Sequence, residues 1–275
     1  MVEKIIKKVK SLPPMPESVT KVRRICNDPE GTIRELVPIV KQDPMFTADI
    51  LKAANSPLYG FSRQITSVDQ AVALFGMGTI QGFAISYAVR QSFPIDLSPY
   101  GTTHAHLMEI SSLQNALALQ WGRNQVQTHQ AEMMTLSLLM ELGKVVASIV
   151  LAEAGKAESF RQALSDTETA DEIDAVEKEY LGITSEWIAA LMFKHWQFSE
   201  SMIEMMHHLM NPDEADENLR RHTAILHVVK EAVPFLRPFC EPCVQSAYEA
   251  ADRFGLDTET LHATIEKIRQ EKNPE

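Results

Sequence analysis

The histidines are the first candidates for metal chemistry, because neutral imidazole nitrogens are common ligands of hydrolytic metal ions. The chain contains nine of them. His207 and His208 end the stretch ESMIEMMHH, but adjacent residues on a helix point about 100° apart, so both rarely bind one ion. His222 and His227 are five residues apart, which is a poor spacing for one helix face. Spacing alone therefore favours helix-end and interface histidines over a metal site.

The stretch LSLLMELGKVV, residues 136–146, is an apolar run with one acid in its middle. In several hydrolases a helix that reads Leu-Leu-His-Asp-x-Gly-Lys carries the His and the Asp as adjacent metal ligands. The same frame here holds Met140 and Glu141. A thioether cannot replace an imidazole for a hard ion such as Mg²⁺, Mn²⁺ or Fe²⁺. We therefore expect Met140 to pack in the core and Glu141 to keep a hydrogen-bonding or capping role.

The CEPC stretch at 240–243 could be a redox pair or half of a zinc site. The chain has no second pair of this kind, and the third cysteine, Cys26, is far away in sequence. We therefore expect Cys240 and Cys243 to be reduced thiols beside a helix that starts with proline. Three cysteines in a chain of this length suit a reducing cytoplasm, which is the predicted location.

The composition is that of a globular protein with an acidic surface. Of the 275 residues, 45% are hydrophobic and 23% are charged, and the net charge is −11. This balance argues against nucleic acid as a partner, since non-specific binding of nucleic acid needs a basic surface. We find no stretch of about 18 apolar residues and therefore expect no membrane insertion.

Helical periodicity extends over almost the whole chain and predicts an all-α fold. The proline- and glycine-containing stretch 92–104 is the best candidate for a boundary between two lobes, predicted at 1–98 and 99–275. The two lobes could also form one domain. The segment 211–275 is expected to add helices to the second lobe. Beyond the boundary, long helices are predicted at 104–124, 130–154, 158–165, 170–181, 184–194, 199–210, 214–232 and 258–271.

Three stretches of the front lobe carry a specific order of motifs: LPPMPESVTKV (12–22), IVKQDPMFTADILKAANSPLYG (39–60) and ITSVDQAVALFGMGTIQGF (65–83). They resemble the front lobe of the HDOD family, which are HD-related output domains of bacterial signal transduction. The resemblance continues to about residue 210. It implies an all-helical fold in which a front lobe packs on an HD-like bundle. The motif residues expected to be structural are Asp43, Pro44, Asn55, Ser56, Gln70 and Gly76.

The resemblance also places the metal-ligand positions of HD hydrolases on this chain. They fall on a degenerate set: Ser111, Met140, Glu141, Ser185, His207 and His208. Three of the ligand types are replaced, and each metal of a two-metal site needs about three protein ligands. We therefore expect no catalytic residue, no metal and no cofactor.

The favoured function is a non-catalytic signalling or scaffold protein that contacts a signalling protein partner. The alternative is a metal-dependent phosphohydrolase, in which a divalent ion is bound by His207, His208 and Glu141, with His104 or His106 as a further ligand. A third hypothesis is a small-ligand pocket in the relic HD cavity, lined by Met140, Ser111, Ser185 and His207.

Overall fold

The structure is a computed structural model that describes residues 1–92 and 94–272. These residues form α-helices joined by turns and short 3₁₀ segments, without a β-strand among them, which confirms the all-α prediction. The front helices are α1 (Val2–Lys10), α2 (Glu17–Asn27), α3 (Ile33–Lys41), α4 (Pro44–Ala54) and α5 (Val68–Ser92). The later helices are α6 (His104–Gln120), α7 (Gln130–Ser137), α8 (Gly143–Glu153), α9 (Ala157–Ala163), α10 (Ala170–Leu181), α11 (Ser185–His195), α12 (Glu200–His207), α13 (Glu217–Ala232), α14 (Glu241–Arg253) and α15 (Thr258–Lys272).

Side-chain caps fix the ends of α4. The Asp43 carboxylate accepts hydrogen bonds from the backbone N–H groups of Met45 and Phe46, at 2.9 and 3.0 Å, which satisfies donors that have no partner inside the helix. Beyond the other end, Asn55 exchanges two hydrogen bonds with the backbone of Ile65, at 2.8 and 2.9 Å. The Asn55 side chain therefore holds the loop that leads into α5.

A break at Gly76 divides α5 into two parts. Its backbone has φ 77° and ψ 164°, a conformation that glycine adopts at little cost. The part after the break approaches α7 closely, where the Thr135 hydroxyl donates to the Gly78 carbonyl at 2.8 Å.

α5 is also long and apolar enough to cross a membrane, contrary to the expectation for this chain. However, 67% of its most apolar window is buried against other helices, as in the core helix of a globular protein.

The predicted single helix over 130–154 was wrong, because residues 138–142 form a turn between α7 and α8. Within it the bonds span three residues instead of four, as from the Leu139 N–H to the Leu136 carbonyl at 2.7 Å and from the Leu142 N–H to the Leu139 carbonyl at 3.1 Å. Such 3₁₀-type hydrogen bonds are common at helix ends. The turn contains both Met140 and Glu141, so the two residues do not lie on a regular helix.

The N-terminal segment is attached to the later helices. Lys8 of α1 pairs with Glu153 of α8 at 2.6 Å. After α1, the carbonyl of Leu12 contacts the His195 ring at 3.1 Å, and the carbonyl of Pro13 accepts from the Trp196 indole at 3.0 Å. These contacts cross the predicted boundary at residues 98 and 99, and the division into lobes stays a prediction.

The C-terminal helices α13 to α15 pack on the helices before them, and α15 contacts both α6 and the segment Pro57–Tyr59. The Trp121 indole, after α6, donates to the Asp257 carbonyl before α15 at 2.8 Å.

The expectation for the cysteines was wrong, because the structure joins Cys240 and Cys243 in a disulfide with the Cα atoms 5.0 Å apart. A separation of three residues at a helix start brings the two side chains within the normal range for such a bond.

Candidate functional site: a buried ion-pair network

The turn between α7 and α8 places Glu141 in the protein interior, where its side chain is fully buried. Gly143, the first residue of α8, makes this possible. A Cβ atom at Gly143 would overlap the Ser185 carbonyl oxygen at the start of α11. Only a residue without a side chain therefore lets the two helix starts approach this closely. The Met140-Glu141 turn and Ser185 consequently line the same part of the core.

Two lysine ammonium groups lie among the buried carboxylates. The Lys144 Nζ atom is 3.1 Å from Glu141 Oε2 and 2.9 Å from Glu177 Oε1. The Lys230 Nζ atom is 2.9 Å from Glu141 Oε1 and 2.7 Å from Glu186 Oε1. Each oxygen of Glu141 therefore has its own ammonium partner. We call these five residues, Glu141, Lys144, Glu177, Glu186 and Lys230, the ion-pair network.

Neutral donors complete the network. The Gln114 amide of α6 donates to Glu141 at 2.7 Å, and the Tyr100 hydroxyl donates to Glu177 at 2.7 Å. Lys144 also donates to the Ser185 hydroxyl at 2.7 Å. The network thus connects residues from α6, α8, α10, α11 and α13, and charges buried this deeply persist only where pairing and hydrogen bonds compensate their lost hydration.

The electrostatics keep the network ionised. Burial by itself disfavours the charge on Glu141, but the attraction of Lys144 and Lys230 outweighs it and holds the pKa of Glu141 below its usual value. Burial likewise opposes the charge on Glu186, and Lys230 and Lys144 again hold its pKa well below the ordinary range. The carboxylates in turn overcome the burial of both lysines and raise their pKa values. None of these four groups is therefore poised to exchange a proton near neutral pH.

Asp174 borders the network but behaves differently. Its carboxyl is buried, and neither oxygen has a hydrogen-bond partner among the residues that the structure describes. Burial, together with the negative charges of Glu186 and Glu177, raises the pKa of Asp174 well above its usual value. Its surroundings therefore favour the protonated form of Asp174, which borders the three glutamates and two lysines of the network.

The structure brings some of the predicted site residues together. Glu141 and Ser185 both contact Lys144, and Met140 is fully buried in the surrounding core. Ser111 lies elsewhere on α6, beside Leu138 and Leu142, at a cavity of about 10 Å³. That volume is about the space that one water molecule requires.

The two predicted histidines belong to a different cluster. Ligand atoms of Glu204, His207 and His208 lie within 4.8 Å of one another at the end of α12. His208 pairs with Glu204 at 3.4 Å, and the His207 ring lies edge-on to Trp187 with the ring centroids 4.9 Å apart. We call these three residues, Glu204, His207 and His208, the histidine cluster. Their described contacts do not include Glu141, which is engaged by the two lysines.

Sequence reasoning missed most of the network. Lys144 was visible as the lysine of the Gly-Lys pair, but Glu177, Glu186 and Lys230 gave no motif. One feature of the sequence could have indicated these residues, namely a charged residue within an otherwise apolar helix stretch, such as Lys230 within AILHVVKEAV. Such positions are rarely charged unless the charge is paired, so they indicate a buried partner without saying which residue it is.

A family model describes this architecture. The model of the HDOD domain matches residues 12–212, which is most of the chain. The chain belongs to the HDOD domain family. The matched range includes α2 to α5 of the front helices, the turn at Glu141 and the histidine cluster. Lys230 and the CEPC segment lie outside it, on the C-terminal helices.

Solved structures share the fold over nearly the whole chain. A proposed signal-transduction protein from Marinobacter aquaeolei VT8 has a TM-score of 0.69 at 22% identity, over 96% of this chain and 58% of that protein. A proposed phosphohydrolase from Shewanella amazonensis SB2B has a TM-score of 0.67 at 22% identity, over 98% of this chain and 95% of the other. Both similarities show the helical fold and leave the activity open.

A curated relative matches a shorter segment. An uncharacterized protein of Treponema pallidum (strain Nichols) is 23% identical over 82 residues, which is 30% of this chain and 16% of that protein. The chain therefore spans only a small part of that relative's length.

Proposed function

We propose that this protein is a non-catalytic signal-transduction module of the HDOD family, which acts through contacts with a partner protein. The observation that carries the proposal is the ion-pair network. Two lysine ammonium groups, Lys144 and Lys230, lie at Glu141, the carboxylate that the resemblance places at a metal-ligand position of HD hydrolases. In this proposal the lysines supply fixed positive charge to the core, and the helical frame serves as a rigid scaffold.

The donor set at the network is a poor fit to a hydrolytic metal centre. Such a centre needs several neutral or anionic ligands on each ion and an open position for water. Both oxygens of Glu141 are engaged by ammonium groups, and the hydroxyl of Ser185 accepts from Lys144. A divalent ion at this position would lie within a few ångströms of two positive charges. We therefore derive no reaction step through a metal at this site.

Access of a substrate to the network is also unfavourable. Its five members are at most 2% exposed, so a phosphodiester would have to displace the packed helices to reach them. The lysines lower the pKa values of Glu141 and Glu186, which makes these two carboxylates weak bases for the activation of water. The burial and the pKa shifts thus both support a structural role for the network.

The partner surface is proposed from exposed apolar side chains. Met45, which follows the Asp43-Pro44 start of α4, is 66% exposed, and Trp187 on α11 is 41% exposed. Large exposed apolar residues are enriched where proteins contact partners. Met45→Lys and Trp187→Lys should each reduce recovery of a partner that copurifies from bacterial extract, whereas Lys41→Met should not. Equal recovery by all three variants would exclude these two positions as contacts.

The decisive test of the non-catalytic role is metal binding with turnover. The chain, prepared without a histidine tag and stripped with chelator, is titrated with Mn²⁺, Fe²⁺, Zn²⁺ and Mg²⁺ by calorimetry, and hydrolysis of a generic phosphodiester is measured at each step. We expect no ion to bind more tightly than about 10 μM, or about −7 kcal/mol, and no turnover. Stoichiometric tight binding together with turnover would overturn the proposal.

A second candidate function, metal-dependent phosphohydrolysis, is favoured by one observation, the close approach of Glu204, His207 and His208. Imidazole and carboxylate are suitable ligands for Zn²⁺, Mn²⁺ or Fe²⁺. The cluster is partly exposed, so water could occupy an open position. In this case His207→Ala should remove both ion binding and turnover, while Lys144→Met should leave the ion bound at the cluster.

A further inference from the structure

Cys240 and Cys243 form a pair at the start of α14. Cys240 is the residue just before the helix, and its sulfur accepts a hydrogen bond from the backbone N–H of Cys243 at 3.2 Å. The Cα atoms are 5.0 Å apart, a separation that allows a disulfide without movement of the backbone. The pair can therefore close and open at this position of the fold.

The two sulfurs differ in their access to solvent. Cys240 is partly exposed, whereas Cys243 is fully buried beneath the first turn of α14. Beside Cys240, the exposed residues Glu241 and Pro242 border a surface groove of about 500 Å³ that extends to Arg269. Cys240 is therefore the sulfur of the pair that a small disulfide can reach from solvent, and Cys243 is reached only through Cys240.

The surroundings of Cys240 favour its thiolate. The partial positive charge of a helix N-terminus stabilises a thiolate at the residue before the helix. The guanidinium of Arg269 donates to the carbonyl of Phe239, the residue before Cys240, and so adds positive charge nearby, partly compensated by its pairing with Glu266 at 2.8 Å. Glu241 opposes these effects, but it is exposed, so water screens its charge.

Cys26, the third cysteine, differs from Cys240 in its expected reactivity. Its thiol lies against the Met77 carbonyl at 3.5 Å, and burial raises the pKa of Cys26 to about 12. Because the thiolate is the reactive form, Cys26 is inert near neutral pH. The chain therefore holds one partly buried single thiol with a raised pKa and one pair whose outer sulfur, that of Cys240, is partly exposed at a helix start, with opposite expected reactivity.

We propose that Cys240 and Cys243 form a thiol–disulfide exchange centre that reacts with small disulfides of the glutathione type. The Cys240 thiolate attacks one sulfur of the disulfide, forms a new S–S bond and releases the first thiolate. The deprotonated Cys243 then attacks the Cys240 sulfur, closes the Cys240–Cys243 disulfide and releases the second thiolate. Two electrons pass from the protein dithiol to the small disulfide, which leaves as two thiols after taking up the two protons.

The test uses the full chain, reduced and freed of reductant, and oxidised glutathione as the probe. Adducts and free thiols are followed by mass spectrometry after acid quenching and alkylation. Wild type should lose two thiols and carry no lasting adduct. The Cys243→Ser variant should trap one glutathione on Cys240, at least about ten-fold faster than the Cys240→Ser variant traps one on Cys243. The Cys26→Ser variant should react like wild type.

Three results would overturn the proposal. One is a wild-type pair that stays reduced in fully oxidised glutathione, and another is a pair that resists excess dithiothreitol and is therefore a static crosslink. The third is equal adduct rates for the Cys240→Ser and Cys243→Ser variants. The wild-type measurement does not depend on the folding of any variant. Failure here would not affect the proposed signalling role, which rests on the ion-pair network.

Discussion

The ion-pair network and the histidine cluster are two groups of ionisable side chains that differ in burial and in the charges around them. The network around Glu141 is buried and contains two ammonium groups among its carboxylates. The histidine cluster of Glu204, His207 and His208 is partly exposed, and its ligand atoms lie within 4.8 Å of one another. Both occupy positions that the resemblance to HD hydrolases marks as metal ligands, yet only one has been converted into a closed set of ion pairs.

This difference shows that burial determines whether a cluster of ionisable groups needs fixed counter-charges. In the interior each carboxylate needs a fixed counter-charge, because the cost of removing an ion from water exceeds several kcal/mol. In the partly exposed histidine cluster, water supplies part of this compensation. Burial together with the neighbouring His208 lowers the pKa of His207, which favours its neutral form. Removal of one charge from the network should therefore destabilise the fold, whereas removal of a histidine from the histidine cluster should have little effect.

The largest predicted effect is the removal of one cation from the network. Lys230→Met keeps the length of the side chain but leaves Glu141 and Glu186 without one of their ammonium partners. We expect a loss of about 3–5 kcal/mol in the free energy of unfolding, measured by chemical denaturation. The matched control is Lys41→Met, which removes a surface pair with Asp69 and should change the stability within experimental error. Equal effects of the two substitutions would contradict the distinction between buried and exposed charge.

A buried carboxyl outside the network tests whether paired cations, and not burial, keep the glutamates ionised. Glu231 is 4% exposed, and its Oε1 atom has no hydrogen-bond partner among the described residues. Burial and the charge of Asp171, opposed by Lys230, raise the pKa of Glu231 to about 7. Because the folded state binds this proton more tightly than the unfolded state, wild-type stability should fall as the pH rises through 7.

Glu231→Gln removes the titrating proton and therefore that loss. Relative to wild type, the variant should gain about 2 kcal/mol of unfolding free energy between pH 5 and pH 8. Chemical denaturation at a series of pH values measures the difference. A difference that does not change with pH would show that Glu231 is as fully ionised as the glutamates of the network.

Asp43 is a carboxylate near the surface that caps α4. Its removal should change the free energy of unfolding by an amount between those expected for the network and for the histidine cluster. Asp43→Ala removes the acceptor of the Met45 and Phe46 N–H groups and should cost about 1 kcal/mol of stability. Asp43→Asn, which keeps a side-chain acceptor, should cost clearly less. Thermal and chemical denaturation of both variants measure the effect, and identical losses would rule out the capping bonds as its source.

The smallest effect is expected at the histidine cluster. His207→Ala removes a ring that contacts Trp187 at the edge of the fold, and the free energy of unfolding should change by less than about 1 kcal/mol. Chemical denaturation in the presence of chelator measures this value. A loss as large as that of Lys230→Met would place the histidine cluster within the stabilising core and would remove the contrast between the two regions.

Particular residues show how far the sequence predicts this molecule. The capping role of Asp43 and the break at Gly76 follow from local chemistry, because a helix start needs an acceptor and a positive φ favours glycine. The family resemblance also located Glu141 and Ser185 in one site. The helix predicted over 130–154 was wrong, because its apolar pattern continues through residues 138–142 and gives no sign of the turn. Helical propensity alone cannot reveal a break that packing against α11 imposes.

The sequence by itself therefore determined the all-α fold and the family, and through the resemblance it predicted a degenerate ligand set that includes Met140 and Ser185. Only the tertiary structure decided what surrounds Glu141. Lys144 and Lys230 are separated by 86 residues; Lys144 lies in the same stretch as Glu141, whereas Lys230 lies in no motif with it. The two lysines meet Glu141 because α8 and α13 pack around the turn at residues 138–142, and in that dry interior the carboxylate requires an opposite charge on each oxygen.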